Sequence, residues 1–238
     1  MKKIAILGYG KMGKEVERAI VALSQRVSVI MDNEQDWEDK WDDFAGSDLA
    51  IEFSTPSTAF QNCQRCLQQH IPVVCGTTGW WDRLPELSAA TGVPSLIYGS
   101  NFSIGANLFF KINEWVGALM SREDGYSVSI RETHHTEKKD KPSGTALTLA
   151  RSIIEHAPRQ TGWVSDTESE GKLSIYSDRV AGVAGVHEIC YQSPEDTITL
   201  KHEAHHRGGF AIGAVRAALW LAENPGIYEF KDIFQRLA

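Results

Sequence analysis

Through the first hundred residues, short runs of consecutive apolar residues alternate with longer stretches in which apolar residues return every third or fourth position. Residues 2–7 end in Ile4-Ala5-Ile6-Leu7, a strand signal. Met12, Val16, Ala19, Ile20 and Leu23 share one face of a helix over 11–23, and 27–31 is a second strand. Apolar runs at 50–53, 73–75 and 96–98, bounded by Ser, Thr, Pro and Gly, have the unbroken hydrophobicity of parallel strands covered on both faces, and 58–69 has helical spacing. This alternation predicts an α/β lobe built on a Rossmann-type doubly wound parallel sheet.

After Asn101 the pattern changes. A helix over 104–119, a strand over 127–131, a polar loop and a helix over 144–154 precede strands at 173–176, 186–191 and 197–203. Strands following one another without helices predict an antiparallel α+β lobe. A last helix, 210–222, carries Ala and Gly on its packing side, and the tail after Asn224-Pro225-Gly226 is expected to return to the first lobe. The expected domains are 1–103 for dinucleotide binding, 104–208 for substrate binding and oligomerisation, and a helical segment 209–238.

A chain of 238 residues has room for one large α/β domain or two modest ones and can bury a real core, and its net charge of −7 argues against a nucleic-acid surface. Much of the acid lies in 32–43, read as a solvated loop or short helix whose two tryptophans pack inward. Cys63 and Cys66 form a C-x-x-C, but they lie within helical spacing and lack a second pair at zinc spacing, so they read as structural and no metal is expected. The opening apolar stretch is too short for a signal peptide and no later one is long enough to span a bilayer, which predicts a cytoplasmic protein with no membrane partner.

Two segments carry chemistry. Gly8-Tyr9-Gly10-Lys11-Met12-Gly13 is a G-x-G-x-x-G between a strand and a helix, and Asp32 ends the next strand, positioned for ribose hydroxyls. Together they predict a nicotinamide or flavin dinucleotide. Later turns containing Ser54 and Thr55, Gly76, Thr77 and Thr78, and Gly99, Ser100, Asn101 and Phe102 are assigned to the nicotinamide side. The second segment, residues 132–146, holds His134 and His135, three lysines including Lys138, and Ser143-Gly144-Thr145 at a helix start. Free N–H groups at such a start bind carboxylate or phosphate, a lysine adds charge, and imidazoles handle protons.

The motif His134-His135-x-x-Lys138-x-Asp140-x-Pro142-Ser143-Gly144-Thr145-Ala146, with G-x-G-x-M-G, Gly76-Thr77-Thr78-Gly79 and Ser100-Asn101-Phe102-Ser103, resembles the dihydrodipicolinate reductase family nearly end to end. The resemblance implies NAD(P)H-dependent reduction of a cyclic dicarboxylate in diaminopimelate and lysine synthesis by a homotetramer. His134 would be the proton donor and acceptor and Lys138 a second donor that pairs with substrate. His135, Ser143, Gly144 and Thr145 would bind carboxylate, with hydride arriving at ring C4. The chain departs from many members in a glycine loop one residue shorter, and in having Asn33-Glu34 rather than an arginine after Asp32. Both NADH and NADPH are expected to serve, NADH at least equally. The rival readings are another two-lobed NAD(P) oxidoreductase, such as a semialdehyde or homoserine dehydrogenase, and a dinucleotide sensor without catalysis. Cys75 lies in the wrong turn context for a semialdehyde dehydrogenase nucleophile. The intact His134, Lys138 and Ser-Gly-Thr set speaks against the sensor.

Overall fold

Strand parity explains how one layer of sheet supports two cores. The computed structural model describes residues 1–90, 95–157 and 159–237, and the chain divides into two compact units, Met1–Ile104 with Arg207–Ala238, and Gly105–His206. In unit 1, β1 (Lys3–Leu7), β2 (Arg26–Met31), β3 (Leu49–Glu52), β4 (Val73–Cys75), β5 (Leu96–Tyr98) and β11 (Ile227–Glu229) form a sheet of order β11-β5-β4-β3-β1-β2. All neighbours are parallel. Ile4 and Ile6 face a core shared with α1 (Lys11–Ala22), α8 (Gly208–Leu221) and α9 (Phe230–Ile233), whereas Ala5 and Leu7 face one shared with α4 (Pro56–Gln68) and Leu87 of α5 (Leu84–Ala90). Burial on both faces accounts for the unbroken apolar runs. The strand order reverses between β1 and β3, which puts the ligand crevice of this topology at their carboxyl ends.

The acidic stretch forms two short helices, α2 (Glu34–Asp39) and α3 (Trp41–Ala45). Asn33 and Asp36 close a capping box at the start of α2. Trp37 packs edge-on against Phe44 at 4.9 Å, but Trp41 is 37% exposed, so only one tryptophan turns inward. Cys63, Cys66 and Cys75 are all buried, and burial pushes the Cys75 thiol well above its ordinary range, unlike a nucleophile.

Unit 2 comprises α6 (Ile104–Met120), β6 (Ser127–His134), α7 (Gly144–His156), β7 (Trp163–Ser165), β8 (Leu173–Arg179), β9 (Gly185–Gln192) and β10 (Thr197–Ala204) in a sheet of order β10-β9-β6-β8-β7. The sheet is mixed, not antiparallel: β9 pairs antiparallel with β10 and β6, but β8 pairs parallel with β6 and β7. The expected antiparallel order fails because α7 crosses back after β6, and such a crossover returns the chain in the same direction. Ile130, Leu173, Ile175, Ile189 and Tyr191 bury one face against Phe109 of α6 and Leu149, Ala150 and Ile153 of α7. Among the described residues no helix is long and apolar enough to cross a membrane.

Candidate active site

In unit 1, the glycine loop requires two of its glycines for backbone reasons. Gly8 has φ +88°, and a Cβ there would lie 2.6 Å from the Phe53 carbonyl oxygen; at Gly13 it would lie 2.2 Å from that of Gly8. Gly10 differs: a Cβ there would meet nothing within 4 Å. It caps α1 without a side-chain hydrogen bond, and the first turn of α1 carries no acid. An open, uncapped helix start fits a dinucleotide pyrophosphate. Lys11 is exposed and Met12 partly buried against the core. Asp32, exposed just after β2, accepts the Tyr9 N–H on Oδ1 at 2.6 Å, which ties the acid to the loop. Of the basic residues around α2, Arg65 pairs with Glu34 at 2.5 Å and Lys40 with Asp36 at 2.7 Å.

The other turns divide. Ser54 gives both its N–H and its hydroxyl to buried Glu52, and the Thr55 hydroxyl lies 2.9 Å from those of Ser57 and Thr58. Gly76 is a packing glycine, since a Cβ would fall 2.0 Å from a Phe53 ring carbon. The Thr77 carbonyl accepts the Trp80 indole N–H, and Thr78 is exposed. Gly99 is buried with Phe230 beside it, Ser100 is exposed, and Asn101 Oδ1 accepts the Ser103 N–H. Phe102 is 1% exposed with its ring 4.6 Å from that of Phe230, so its side chain belongs to the core and not to a surface over a nicotinamide.

In unit 2, β6 runs three residues beyond the expected end. Ile130, Glu132 and His134 occupy alternate, buried positions, so the strand that supplies the core also carries an acid and an imidazole inward. Register sets Glu132 opposite His187 of β9 and Ser177 of β8, and His134 opposite Arg179. Glu132 accepts the Ser143 N–H at 3.0 Å on Oε1, and its Oε2 lies 3.3 Å from His134 Nε2 and 3.7 Å from His187 Nε2. Burial alone would raise the Glu132 carboxyl, but contacts from His134, His187 and Ser143 outweigh it and hold the group well below the usual carboxylate range. Burial lowers His187 and keeps it neutral.

Ser143 caps α7, its Oγ accepting the Ala146 N–H at 3.2 Å and lying 3.2 Å from His187 Nε2. That commits the Ser143 hydroxyl and N–H inside the protein and leaves the N–H groups of Gly144 and Thr145 without intrahelical acceptors. A Cβ on Gly144 would meet nothing within 4 Å, so this helix start is open. Lys138, three-quarters buried, pairs with Asp140 at 2.8 Å. Arg179 clamps the same loop through the carbonyls of Lys138 at 3.2 Å and Asp140 at 2.5 Å. His135 is half-buried. Sequence reasoning gave no role to Glu132, His187, Arg179 or Gly185; a histidine at a buried parity of apolar β9 was the available signal.

Glu132, His134 and His187 offer three ligand atoms within 4.8 Å of one another. Ligating histidines normally donate their second nitrogen to a fixed partner. His187 Nδ1 is buried without one among the described residues, and Glu132 is already occupied by Ser143 and Arg179, 3.6 Å away. The cluster therefore reads as a hydrogen-bonded proton network.

Gly185 leaves room for the His134 ring, since a Cβ there would lie 3.1 Å from His134 Cε1 and 3.2 Å from Nδ1. Gly185→Ala is expected to displace the ring and lower activity about tenfold while NADH binding, measured by fluorescence, stays unchanged.

A family model described as the N-terminus of dihydrodipicolinate reductase matches residues 2–102, and one described as its C-terminus matches 105–234. The chain is 40% identical over 236 residues, 98% of each sequence, to a 4-hydroxy-tetrahydrodipicolinate reductase of Christiangramia forsetii. It is 36% identical to one of Rickettsia rickettsii over 95% of each. A solved structure of dipicolinate-bound dihydrodipicolinate reductase from Paenisporosarcina sp. TG-14 superposes with a TM-score of 0.75 at 25% identity, covering 98% of this chain and 99% of that one.

Proposed function

Because the chain belongs to the dihydrodipicolinate reductase family, we infer that it reduces 4-hydroxy-tetrahydrodipicolinate with NAD(P)H in diaminopimelate and lysine synthesis, unit 1 holding the dinucleotide and unit 2 the substrate. The observation that carries this division is Glu132, which joins His134 to the Ser143 start of α7 in one buried network. Proton handling and anion binding are thereby built as a single site.

The N–H groups of Gly144 and Thr145, with His135 and Lys138, hold the substrate carboxylates. In unit 1 the Gly8–Gly13 loop holds the pyrophosphate and Asp32 the adenosine ribose. When bound, the reduced nicotinamide supplies the hydride, to ring C4. Water leaves from C4 before that transfer, and one proton then completes the reduction. His134 delivers that proton, with Lys138 as the alternative donor, and Lys138 offsets the charge that develops as the hydride arrives. The homotetramer is assigned to the sheet of unit 2 and the setting to the cytoplasm.

The test is to mix purified protein, NADH and the condensation product of pyruvate and aspartate semialdehyde. Absorbance of the reduced nicotinamide is expected to fall. Pyridine-2,6-dicarboxylate, the ligand named for the Paenisporosarcina structure, is expected to compete with substrate. Inhibition competitive with NADH and indifferent to substrate would reverse the assignment of the units.

Cofactor preference follows from charge. Asp32 favours ribose hydroxyls and repels a 2′-phosphate, and Arg65 and Lys40 are tied to Glu34 and Asp36. NADH is expected to bind at least as tightly as NADPH in parallel titrations at one salt concentration. A tenfold preference for NADPH, about 1.4 kcal/mol, would overturn this assignment.

A further inference from the structure

We propose that Glu132 and His187 are positioning residues behind His134: they hold its Nε2–H inward, present Nδ1 to the substrate, and tie the proton donor to the helix start that binds the carboxylate. This rests on the functional reading above and deepens it.

The argument begins with who can donate to whom. Glu132, as a carboxylate, only accepts: its Oε1 takes the Ser143 N–H at 3.0 Å and its Oε2 lies 3.3 Å from His134 Nε2. A ring nitrogen that faces a carboxylate oxygen carries the hydrogen, which fixes the neutral His134 tautomer as Nε2–H. His187, 5% exposed, packs beside this bond from β9, its Nε2 3.3 Å from His134 Nε2 and 3.2 Å from Ser143 Oγ, and so holds the ring against the carboxylate. The proton gained on forming imidazolium then sits on Nδ1.

Protonation and delivery thus occur at Nδ1, while Nε2–H stays with Glu132 throughout. The groups in contact with this ring are Glu132 on its own strand and His187 on β9; Arg179 on β8 reaches Glu132 at 3.6 Å, and Lys138 pairs with Asp140 on the following loop. Glu132 is the only anion among these within 4 Å of the imidazole. It stabilises the imidazolium that must exist before transfer, and through the Ser143 N–H it places that imidazolium relative to α7.

The experiment has an arm that needs no substrate. Nitrogen-15 NMR of the imidazoles in the full-length protein is expected to show neutral His134 protonated at Nε2; a neutral His134 protonated at Nδ1 overturns the proposal. In the variant arm, Glu132→Gln keeps an acceptor for Ser143 but removes the anion. With its oxygen kept on the Ser143 N–H, the amide N–H of glutamine takes the place of Oε2 opposite His134 Nε2, so the NMR of this variant is expected to show neutral His134 switched toward Nδ1–H, with kcat reduced and NADH affinity unchanged. His187→Gln is expected to lower kcat and leave His134 as Nε2–H. A Glu132→Gln protein whose His134 keeps the wild-type tautomer overturns the proposal, as does a His187→Gln enzyme with wild-type kcat. Wild-type protein that fails to turn over the substrate overturns the functional reading instead, and the NMR arm still decides the tautomer.

Discussion

Replacing His134 with glutamine is expected to lower kcat on the order of 10²-fold, because glutamine keeps a hydrogen-bonding group of similar reach but cannot deliver an imidazolium proton. The substrate KM is expected to change little, since in the proposed site the carboxylate is assigned to the start of α7 and Lys138. NADH affinity is expected to be unaffected, as the Gly8–Gly13 loop is untouched. Glutamine still donates to Glu132 Oε2, which lies 3.3 Å from His134 Nε2, so the buried carboxylate is not stranded and the fold survives. Steady-state kinetics with an NADH titration decide the matter. A near-normal kcat would reduce His134 to a structural histidine and leave Lys138 as the proton donor.

Lys138→Ala is expected to damage both parameters, with kcat/KM falling on the order of 10²- to 10³-fold. The side chain is three-quarters buried and pairs with Asp140 at 2.8 Å. In the proposed site its removal takes a cation from a dianionic substrate, and it leaves Asp140 without the partner it has at 2.8 Å. Arg179 does not replace it, because its guanidinium is spent on the Lys138 and Asp140 carbonyls. Lys138→Arg would restore the charge but not the compact point donor, so partial recovery of KM with persistently low kcat is the expected pattern. Recovery of both would limit Lys138 to electrostatics.

What the sequence disclosed follows from the range of the forces involved. The parallel strands of unit 1 were legible because burial on both faces leaves an unbroken apolar run, as in Ile4–Leu7, and the glycine loop because φ and close approach demand glycine there. The end of β6 was not legible. Glu132 and His134 are polar, so 132–134 looks like loop until His187 and Arg179, more than forty residues on, are laid beside it by strand register. Nor could the sequence tell that Gly76 serves the Phe53 ring or that Phe102 faces the core. Both depend on which of two faces a neighbouring element covers. The β7 strand, three residues at a sheet edge, carries too little pattern to be detected.

The discontinuity of unit 1 sets an order of assembly during synthesis. Residues 1–104 leave the ribosome with β1–β5 in hand, yet one of the two cores awaits Ala211, Ala214, Val215, Ala218, Leu221 and Phe230, all encoded after unit 2. Until they emerge, α1 alone covers one face of the nascent sheet, and the edge of β5 lacks β11. Unit 2, continuous in sequence, is free to fold first. The nascent chain would therefore complete unit 2 before it could complete the sheet of unit 1, and a released chain ending at residue 206 is expected to show a protease-resistant second unit beside a protease-sensitive first.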